Sequence, residues 1–581
     1  MCDRYRAIAV LCCLLASLSV FGAAPPVKHY FPLGYTINGL SDHADALKNA
    51  ATTLDNDENA IPFPYTQHDI QHFCKKAPGL LKTAIEPFGF FNSSVTCTLA
   101  KKDRWWQATI DVVPGPVVTI DSVQITILGF GRNDKKFLAL QKTFPLRVNE
   151  ILHTKKYENA KTDLYNLATQ RGYFEAKMVK SKLIVNLATN RAQVILIFDT
   201  GPRYRFGKTV FTKNPFNESF LRYFIVYRKG NYYNAEKVVK TQSQLINSNY
   251  FDQVIAKPVL KEAKNNIVPI HISLIPRKKK QYTVGVGYGT DTGARITLGA
   301  TWRRVGGAGH RVVTLLRASE DDSSFVTKYL IPGFNPAHDL LTLGVGASNI
   351  TQSTGNAKNA KAAAIYTRNY GKWNGSLSLA YLIERYNITN YPVTSTQLVY
   401  PTLGFSYLDS DHPLHPKHGI SFAIQLSGAD DKLLSEATFF QATAIFKSLY
   451  TIDETHSRIL FRAQAGHTII DNIVNLPLSL QLFAGGSHSV RGYSYNSIGP
   501  GRNLAVSSFE LQQRIKGKIY AVGFIDAGVV GNNNIFQHIN AGAGPGIAWI
   551  GSIGAIELTF GNAFTQPNTP WTIQFSMGAP I

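Results

Sequence analysis

The sequence has few cysteines and, after its first two dozen residues, no long hydrophobic run. It contains 5 cysteines in 581 residues, and only Cys74 and Cys97 lie beyond position 13. Mean hydropathy is −0.08, which is too low for a bundle of spanning helices. Only helices and closed barrels satisfy backbone polar groups in lipid. Beyond the hydrophobic run in the first two dozen residues, an element that crosses a membrane could therefore only be a β-barrel.

Acidic residues are also scarce relative to basic ones. The chain has 60 Lys and Arg against 38 Asp and Glu, for a net charge of +22. This excess indicates an anionic partner. The basic residues are spread along the chain and no nucleic-acid-binding motif accompanies them, so we expect no nucleic-acid partner and favour the phosphates of a lipid bilayer.

The N-terminus predicts an export signal. Arg4 and Arg6 precede an apolar run at 7–20, and small residues follow at 22–24. This is the order of a charged region, an apolar region and a cleavage site in secretory signal peptides. We therefore expect residues 1–24 to be a signal peptide, with an uncleaved membrane anchor as the alternative.

Export would place Cys74 and Cys97 in an oxidising compartment. An even pair of cysteines in such a compartment is typical of one disulfide. It would tie a helix to a strand within one small domain. Two buried free thiols are the alternative.

A short aromatic pattern recurs about every 80 residues. Gly89, Gly172 and Asn249 are each followed by two aromatic residues, and the second aromatics are 83 and 77 positions apart. A period of this length marks tandem domains and not a solenoid of short repeats. Each pattern follows a probable helix, where glycine or asparagine suits a left-handed C-cap. We predict three small α/β modules in which the aromatics pack helix against sheet.

From about Tyr282 onward the hydrophobic period becomes two. Apolar or aromatic residues alternate with small or polar ones, as in Tyr282–Tyr288, Ile420–Leu426 and Trp571–Met577. Such alternation is what a lipid-facing barrel strand requires. About 300 residues, at about 19 per strand and connection, predict 16 strands.

One glycine-rich segment carries a lone charge. Arg491 follows Val490 and precedes Gly492 and Tyr493, and no other charged residue lies between it and Gln481. Glycines on both sides indicate a long loop that folds back tightly. Later in the chain, Asp526 stands alone in an apolar strand, and Glu510 lies in the strand before it.

These features together resemble the BamA/TamA superfamily of outer-membrane insertases. The tetrad Val490–Tyr493 is similar to the signature of a loop that folds into the barrel lumen. Asp526 lies in a segment similar to the strand motif whose aspartate meets the loop arginine. The resemblance implies that Arg491 pairs with Asp526, with Glu510 as a second candidate acceptor. The alternative is that Asp526 faces water in the lumen.

The three modules resemble POTRA domains. They occupy 25–114, 115–201 and 202–276, and the barrel follows at 277–581. The expected fold class is therefore α+β periplasmic POTRA domains followed by a transmembrane antiparallel β-barrel of 16 strands in the bacterial outer membrane. Three modules favour the TamA branch, because BamA usually carries five and the two-partner secretion transporters carry two.

The TamA resemblance implies a function and partners. The clients would be unfolded outer-membrane or autotransporter-type proteins, the partner an inner-membrane-anchored TamB-like protein, and a role in phospholipid transport to the outer membrane is also implied. We expect no enzyme activity, cofactor or metal, because no nucleotide-binding motif or nucleophile–base pair is evident. The alternatives are a passive outer-membrane channel and another POTRA-barrel transporter, BamA-like or of the two-partner type.

The expected mechanism lies at the lateral seam between the first and last barrel strands. Glycines weaken strand pairing, and unpaired strand edges can template another strand. The residues that we assign to this seam are Tyr282, Gly285, Gly287, Gly289, Trp571 and Gly578.

Overall fold

The computed structural model describes residues 33–59, 65–103, 105–289, 293–533, 535–551 and 554–578. The predicted signal peptide at 1–24 lies outside them. No helix within the described ranges is long and apolar enough to cross a membrane. The chain forms two compact units. The first extends to Phe206 and includes 230–235 and 264–267, and the second comprises the remaining residues up to the C-terminus.

The first α/β domain packs two helices on a three-stranded sheet. Thr66 begins the second helix with a capping box, in which the Thr66 hydroxyl accepts from Asp69 N and the Asp69 carboxylate accepts from Thr66 N, and such a box satisfies two helix-end donors. The sheet order is β1-β3-β2, with β1 parallel to β3. The elements are β1 (Leu33–Asn38), α1 (Ala44–Asn59), α2 (Gln67–Ile85), β2 (Ser94–Lys102) and β3 (Trp105–Val113).

A disulfide joins α2 to β2 in this domain. Cys74 and Cys97 are bonded, and their Cα atoms are 5.6 Å apart. The bridge closes a loop of 23 residues, which in the chain-entropy model stabilises the folded domain by about 3 kcal/mol.

We expect the double substitution Cys74→Ala/Cys97→Ala to lower the stability of the first domain by about 2–4 kcal/mol. Hydrogen exchange on the mature full-length chain would show faster exchange in α2, with exchange in the barrel strands unchanged. Mass spectrometry of the non-reduced wild-type chain should give linked peptides. Free thiols at both positions in freshly isolated protein would contradict the assignment.

The second and third α/β domains repeat this arrangement. The second contains β4 (Thr119–Leu128), α3 (Lys135–Lys142), α4 (Thr154–Arg171), β5 (Lys177–Asn186) and β6 (Arg191–Asp199), with sheet order β4-β6-β5. The third contains β7 (Arg205–Phe211), α5 (Glu218–Arg222), α6 (Ala235–Asn247), β8 (Phe251–Pro258) and β9 (Ile267–Pro276), with sheet order β7-β9-β8. In all three sheets the last strand in the chain lies at the centre.

The recurring aromatic pattern has the predicted geometry. Gly89, Gly172 and Asn249 have φ angles of +95°, +84° and +63°, the left-handed region that terminates a helix. The first aromatic after each is buried. Helix α6 has two apolar rows with a spacing of seven residues, and one of them is in the core: Val238 and Leu245 are buried, while Val239 and Ile246 are exposed.

A buried carboxylate connects α3 to α4 in the second domain. Asp134 accepts hydrogen bonds from Arg171 Nε at 2.7 Å, from the Tyr173 hydroxyl at 3.0 Å and from Lys136 N at 3.0 Å. Burial alone would raise the pKa of Asp134, but the hydrogen bonds led by Arg171 outweigh it and the pKa is lowered. Burial and the hydrogen bond to Asp134 raise the pKa of Tyr173 to about 12.

The lowered pKa of Asp134 predicts that the second domain loses stability in acid. Because the folded-state pKa of Asp134 lies below its unfolded value, its ionised form stabilises the domain above the unfolded pKa. That stabilisation disappears as the pH falls through the folded pKa. Asp134→Asn should therefore increase hydrogen exchange in α3 near neutral pH, and the difference from wild type should shrink on acidification. A difference that is independent of pH would contradict this role.

The remainder of the described chain forms one antiparallel sheet of 16 strands. Two short strands, β21 (Leu482–Ala484) and β22 (Ile498–Gly501), form a separate ribbon. The 16 strands in sheet order are β10 (Lys280–Gly289), β11 (Gly293–Val305), β12 (His310–Ser319), β13 (Asp322–Pro332), β14 (Asp339–Gln352), β15 (Gly355–Tyr370), β16 (Trp373–Ile388), β17 (Thr394–Ser410), β18 (His418–Ala429), β19 (Phe439–Ile452), β20 (Ser457–Ile470), β23 (Asn503–Lys516), β24 (Ile519–Gly531), β25 (Asn540–Gly551), β26 (Gly554–Asn562) and β27 (Trp571–Gly578).

The two faces of this sheet differ as the period of two predicts. On β10 the large residues Tyr282, Val284, Val286 and Tyr288 are all exposed on one face, which is the pattern of a lipid-facing barrel wall. The opposite face carries the buried polar side chains and contacts the loop described below. The predicted fold class, three α/β domains followed by a 16-stranded antiparallel barrel, is confirmed.

Candidate functional site

A long loop between β20 and β23 lies against the inner face of the barrel. We call residues 471–502 the lumen loop. Leu476 packs against Leu398 and Tyr400 of β17, and Leu478 packs against Tyr386 of β16. These leucines are buried, so the first half of the lumen loop is fixed by apolar contacts to the middle of the barrel wall.

Hydrogen bonds fix the same part of the lumen loop. The Tyr386 hydroxyl donates to Val474 O at 2.7 Å. Glu384, which is fully buried, accepts from Ser479 N at 3.0 Å. Asn359 Nδ2 donates to the other carboxylate oxygen at 3.1 Å. Because a buried carboxylate is costly when it is poorly paired, the bond from Ser479 N favours the docked loop.

The tip of the lumen loop inserts an arginine into the wall on the other side. Arg491 Nε donates to Asp526 Oδ2 at 2.8 Å, and Arg491 Nη2 donates to Asp526 Oδ1 at 2.9 Å. The backbone N of Arg491 also donates to Asp526 Oδ2, at 2.9 Å. Arg491 is 2 % exposed and Asp526 is fully buried. This is a bidentate arginine–carboxylate pair, the geometry in which charge-assisted hydrogen bonds are strongest.

Two further carboxylates complete the environment of Arg491. Nη1 donates to Glu510 and, at 3.1 Å, to Glu557 Oε1, and Nη2 donates to Ser508 Oγ at 3.2 Å. The guanidinium carbon also lies 3.7 Å from the centre of the Phe524 ring. All five guanidinium N–H groups therefore have acceptors, and three acids on different strands share one cation.

Glycines in the wall admit the loop tip. A Cβ atom at Gly542 would lie 1.9 Å from Arg491 O, and one at Gly561 would lie 2.5 Å from Gly492 N. Neither position could hold a larger residue without moving the tip. Gly492 itself has a φ of +97°, which favours glycine because a Cβ is strained there. The absence of side chains at Gly542 and Gly561 thus leaves the groove in which the tip lies.

The tip also contacts the last strand of the barrel. Gln574 on β27 accepts from Gly492 N at 3.4 Å and donates to Tyr493 O at 2.9 Å. The Tyr493 hydroxyl lies 2.8 Å from Thr565 Oγ1. Val490 is fully buried beside Tyr493 in an apolar cluster. The tetrad Val490–Tyr493 therefore links β23 and β24 to β27.

The two end strands of the sheet lie next to each other but form no ladder. β10 and β27 approach within 8 Å, Cα to Cα, yet they are the two ends of the strand order, and no pairing joins them in the described part of the chain. Tyr282, Gly285, Gly287 and Gly289 lie on β10, and Trp571 and Gly578 lie on β27. The residues assigned to the seam from sequence thus line an edge without backbone pairing.

Among the described strands of the barrel sheet, the shortest lies at this edge. The described β27 has 8 residues and β10 has 10, whereas β17 has 17. A tilted spanning strand needs about 9–11 residues, so the described part of β27, with 8 residues, falls just short of that length. Short end strands leave few backbone hydrogen bonds to form across the seam.

Sequence reasoning missed several members of the site. Glu557 and Gln574 each lie in an alternating strand with no distinguishing motif, and Glu384 contacts the lumen loop across 95 positions of sequence. The only signal was a charged or amide side chain on the polar face of a barrel strand. Many such residues face solvent, so the signal alone could not select these three.

Comparison with known proteins agrees with this architecture. Residues 305–580 match the model of the Omp85 superfamily domain. The structure is similar to that of BamA from Haemophilus ducreyi lacking POTRA domains 1–3, with a TM-score of 0.68 and 18% identity, covering 79% of this chain and 99% of that one. CdiB from Acinetobacter baumannii gives a TM-score of 0.47 and 14% identity, covering 80% of this chain and 90% of that one. Residues 305–580 are thus similar to the Omp85 superfamily domain, and the chain has a fold similar to that of BamA.

Proposed function

We propose that this protein inserts client proteins into the outer membrane by exchanging strand pairing at the seam between β10 and β27. One observation carries the proposal: over their described residues, the two end strands lie side by side without a backbone ladder. Unpaired N–H and C=O groups on such an edge accept an added strand. The net stabilisation from each backbone hydrogen bond is about 1 kcal/mol, so client pairing could replace self-pairing without chemical fuel.

The lumen loop has a supporting role in this proposal. It fastens β27 through Gln574 and fastens β23 and β24 through Ser508, Glu510 and Asp526. The wall next to the seam therefore keeps its shape while β10 is free to accept a client.

Within the superfamily, we assign the chain to the TamA type. Support comes from three α/β domains before the barrel and from the tetrad around Arg491. The clients would be autotransporter-type proteins, the α/β domains would lie in the periplasm, and a TamB-like protein anchored in the inner membrane would be the partner. Co-purification of such a partner with the full-length chain from cells would test this finer assignment.

Reconstitution tests the function itself. We expect the mature full-length chain in liposomes to accelerate membrane insertion of an urea-unfolded autotransporter barrel without added nucleotide. Liposomes that contain an equal mass of a porin are the control. No acceleration, together with a large and stable conductance in planar bilayers, would favour the passive channel instead.

A further inference from the structure

A basic cavity lies at the end of the barrel at which β10 begins. No residue of the lumen loop, β10 or β27 lines it. We call this end the proximal rim. Because neighbouring strands are antiparallel, the turns after β17, β19 and β23 all lie at the proximal rim. A cavity of about 560 Å³ opens between these turns. We refer to it as the rim cavity.

The rim cavity carries more positive than negative charge. Its cations are Lys417, Arg458, Arg514 and Lys518, and His415 and His456 also line it. Asp453 is the one acid in its lining, and it is already paired with Lys417 at 2.9 Å. Within the described ranges, no ion pair joins Arg458, Arg514 or Lys518 to a carboxylate. Three cations thus border one cavity without a direct ion pair to any described carboxylate.

Arg458 is the most constrained of these cations. It is 3 % exposed, and its guanidinium donates to Gln512 Oε1 and, at 3.1 Å, to Pro416 O. Its Cζ lies 5.7 Å from the centre of the Tyr520 ring. Both hydrogen-bond acceptors are neutral, although Gln512 Nε2 in turn donates to Glu510 Oε1 at 2.7 Å. A buried guanidinium that makes no direct ion pair is costly. An anion in the rim cavity would offset that cost.

The outer face of the same strand ends is apolar. Ile519 and Trp549 are directly opposite each other on β24 and β25, and both are exposed, on the face opposite to Tyr520 and Ile550, which line the rim cavity. Lys518 Nζ lies 6.0 Å from the centre of the Trp549 ring. The lysine therefore stands on the rim between a basic cavity and a lipid-facing surface.

We propose that the rim cavity binds the phosphate of a membrane phospholipid whose acyl chains lie along Ile519 and Trp549. A phosphate offers several oxygens, so it can accept from arginine forks and from a lysine ammonium together. Three unpaired cations exceed what one carboxylate would neutralise. The adjoining apolar face is the reason to assign a lipid phosphate and not a soluble one. This inference does not depend on lateral opening of the seam.

Native mass spectrometry of the full-length mature chain would test the site. The protein would be released from nanodiscs that contain equal amounts of phosphatidylglycerol and phosphatidylcholine. We expect wild type to retain phosphatidylglycerol, and Arg514→Gln/Lys518→Gln to reduce that retention about tenfold or more, because two charge-assisted contacts are lost. The matched control is Arg317→Gln/Lys328→Gln, which removes two cations from β12 and β13 and should leave retention unchanged. Equal retention by wild type and the rim variant would overturn the proposal.

A second comparison separates a lipid from a soluble phosphate. Ile519→Ser keeps every cation of the rim cavity and removes apolar surface outside it. We expect this variant to lose phosphatidylglycerol while the weak binding of glycerol 3-phosphate stays as in wild type. If glycerol 3-phosphate binds wild type as tightly as the phospholipid does, and Ile519→Ser changes neither, the ligand is a soluble phosphate and the lipid assignment is wrong.

Discussion

Replacement of Arg491 by alanine should release the tip of the lumen loop and abolish most client insertion. The substitution would leave Asp526, Glu510 and Glu557 close together without their shared cation. Removing one partner of a buried ion pair costs about 3–5 kcal/mol. That cost corresponds to about two to four orders of magnitude in the ratio of docked to undocked loop.

Two variants make this expectation specific. Arg491→Lys keeps the charge but loses the bidentate fork to Asp526, so it should give an intermediate effect. Arg317→Ala removes an arginine of β12 for which no carboxylate partner within the described residues is seen, and it should leave insertion near the wild-type level. The readouts are client insertion and thiol labelling of a cysteine introduced at Ser489. Unchanged labelling and insertion in Arg491→Ala would show that the ion cluster has no functional role.

Crosslinking β10 to β27 should stop client insertion while leaving the barrel folded. One cysteine would replace Val284 or Val286 on β10, and the other would replace Ile573 or Met577 on β27. Only pairs that oxidise to a disulfide are scored. If a client must pair with the free edge of β10, a covalent bond across the seam prevents it, and reduction should restore activity.

The matched control places a disulfide between strands that are already paired. Thr327 and Val345 are directly opposite each other on β13 and β14. A Thr327→Cys/Val345→Cys bridge should leave insertion unchanged. Because the reductant also reduces the native Cys74–Cys97 disulfide, insertion by this variant before and after reduction shows any effect of losing that bond. Full activity of a chain with a demonstrably crosslinked seam would contradict lateral opening.

Sequence reasoning could predict the fold because its signals are local and repeated. The left-handed residues at Gly89, Gly172 and Asn249 follow from backbone sterics at a helix end. The barrel follows from a period of two sustained over many strands. The two apolar rows of α6, which begin at Val238 and Val239, have the same spacing, so the sequence alone does not show which row is buried.

The candidate site was predictable only where a residue contrasts with its neighbours. Arg491 and Asp526 are lone charges in apolar or glycine-rich segments, so each was visible. Glu557 and Gln574 have ordinary neighbours, and their role depends on where the loop tip lies after folding. Between the described residues of β10 and β27 no ladder is present. Whether these strands pair depends on how the whole barrel closes, which no local sequence pattern reports.

Photocrosslinking of an arrested client is the measurement that tests the central claim most directly. A photoreactive amino acid would replace single residues along β10, at Tyr282, Val284 and Val286, in the full-length chain. The same photoreactive amino acid at Thr301, on the inner face of β11, would detect a client in the lumen. At Leu343, on the outer face of β14, it would detect a client at the wall far from the seam. The seam account predicts client adducts along β10, at positions that shift in register with the arrested client, and none at Leu343. Adducts at Thr301 with none on β10 would contradict it, because the client would then pass through the lumen without pairing at the seam.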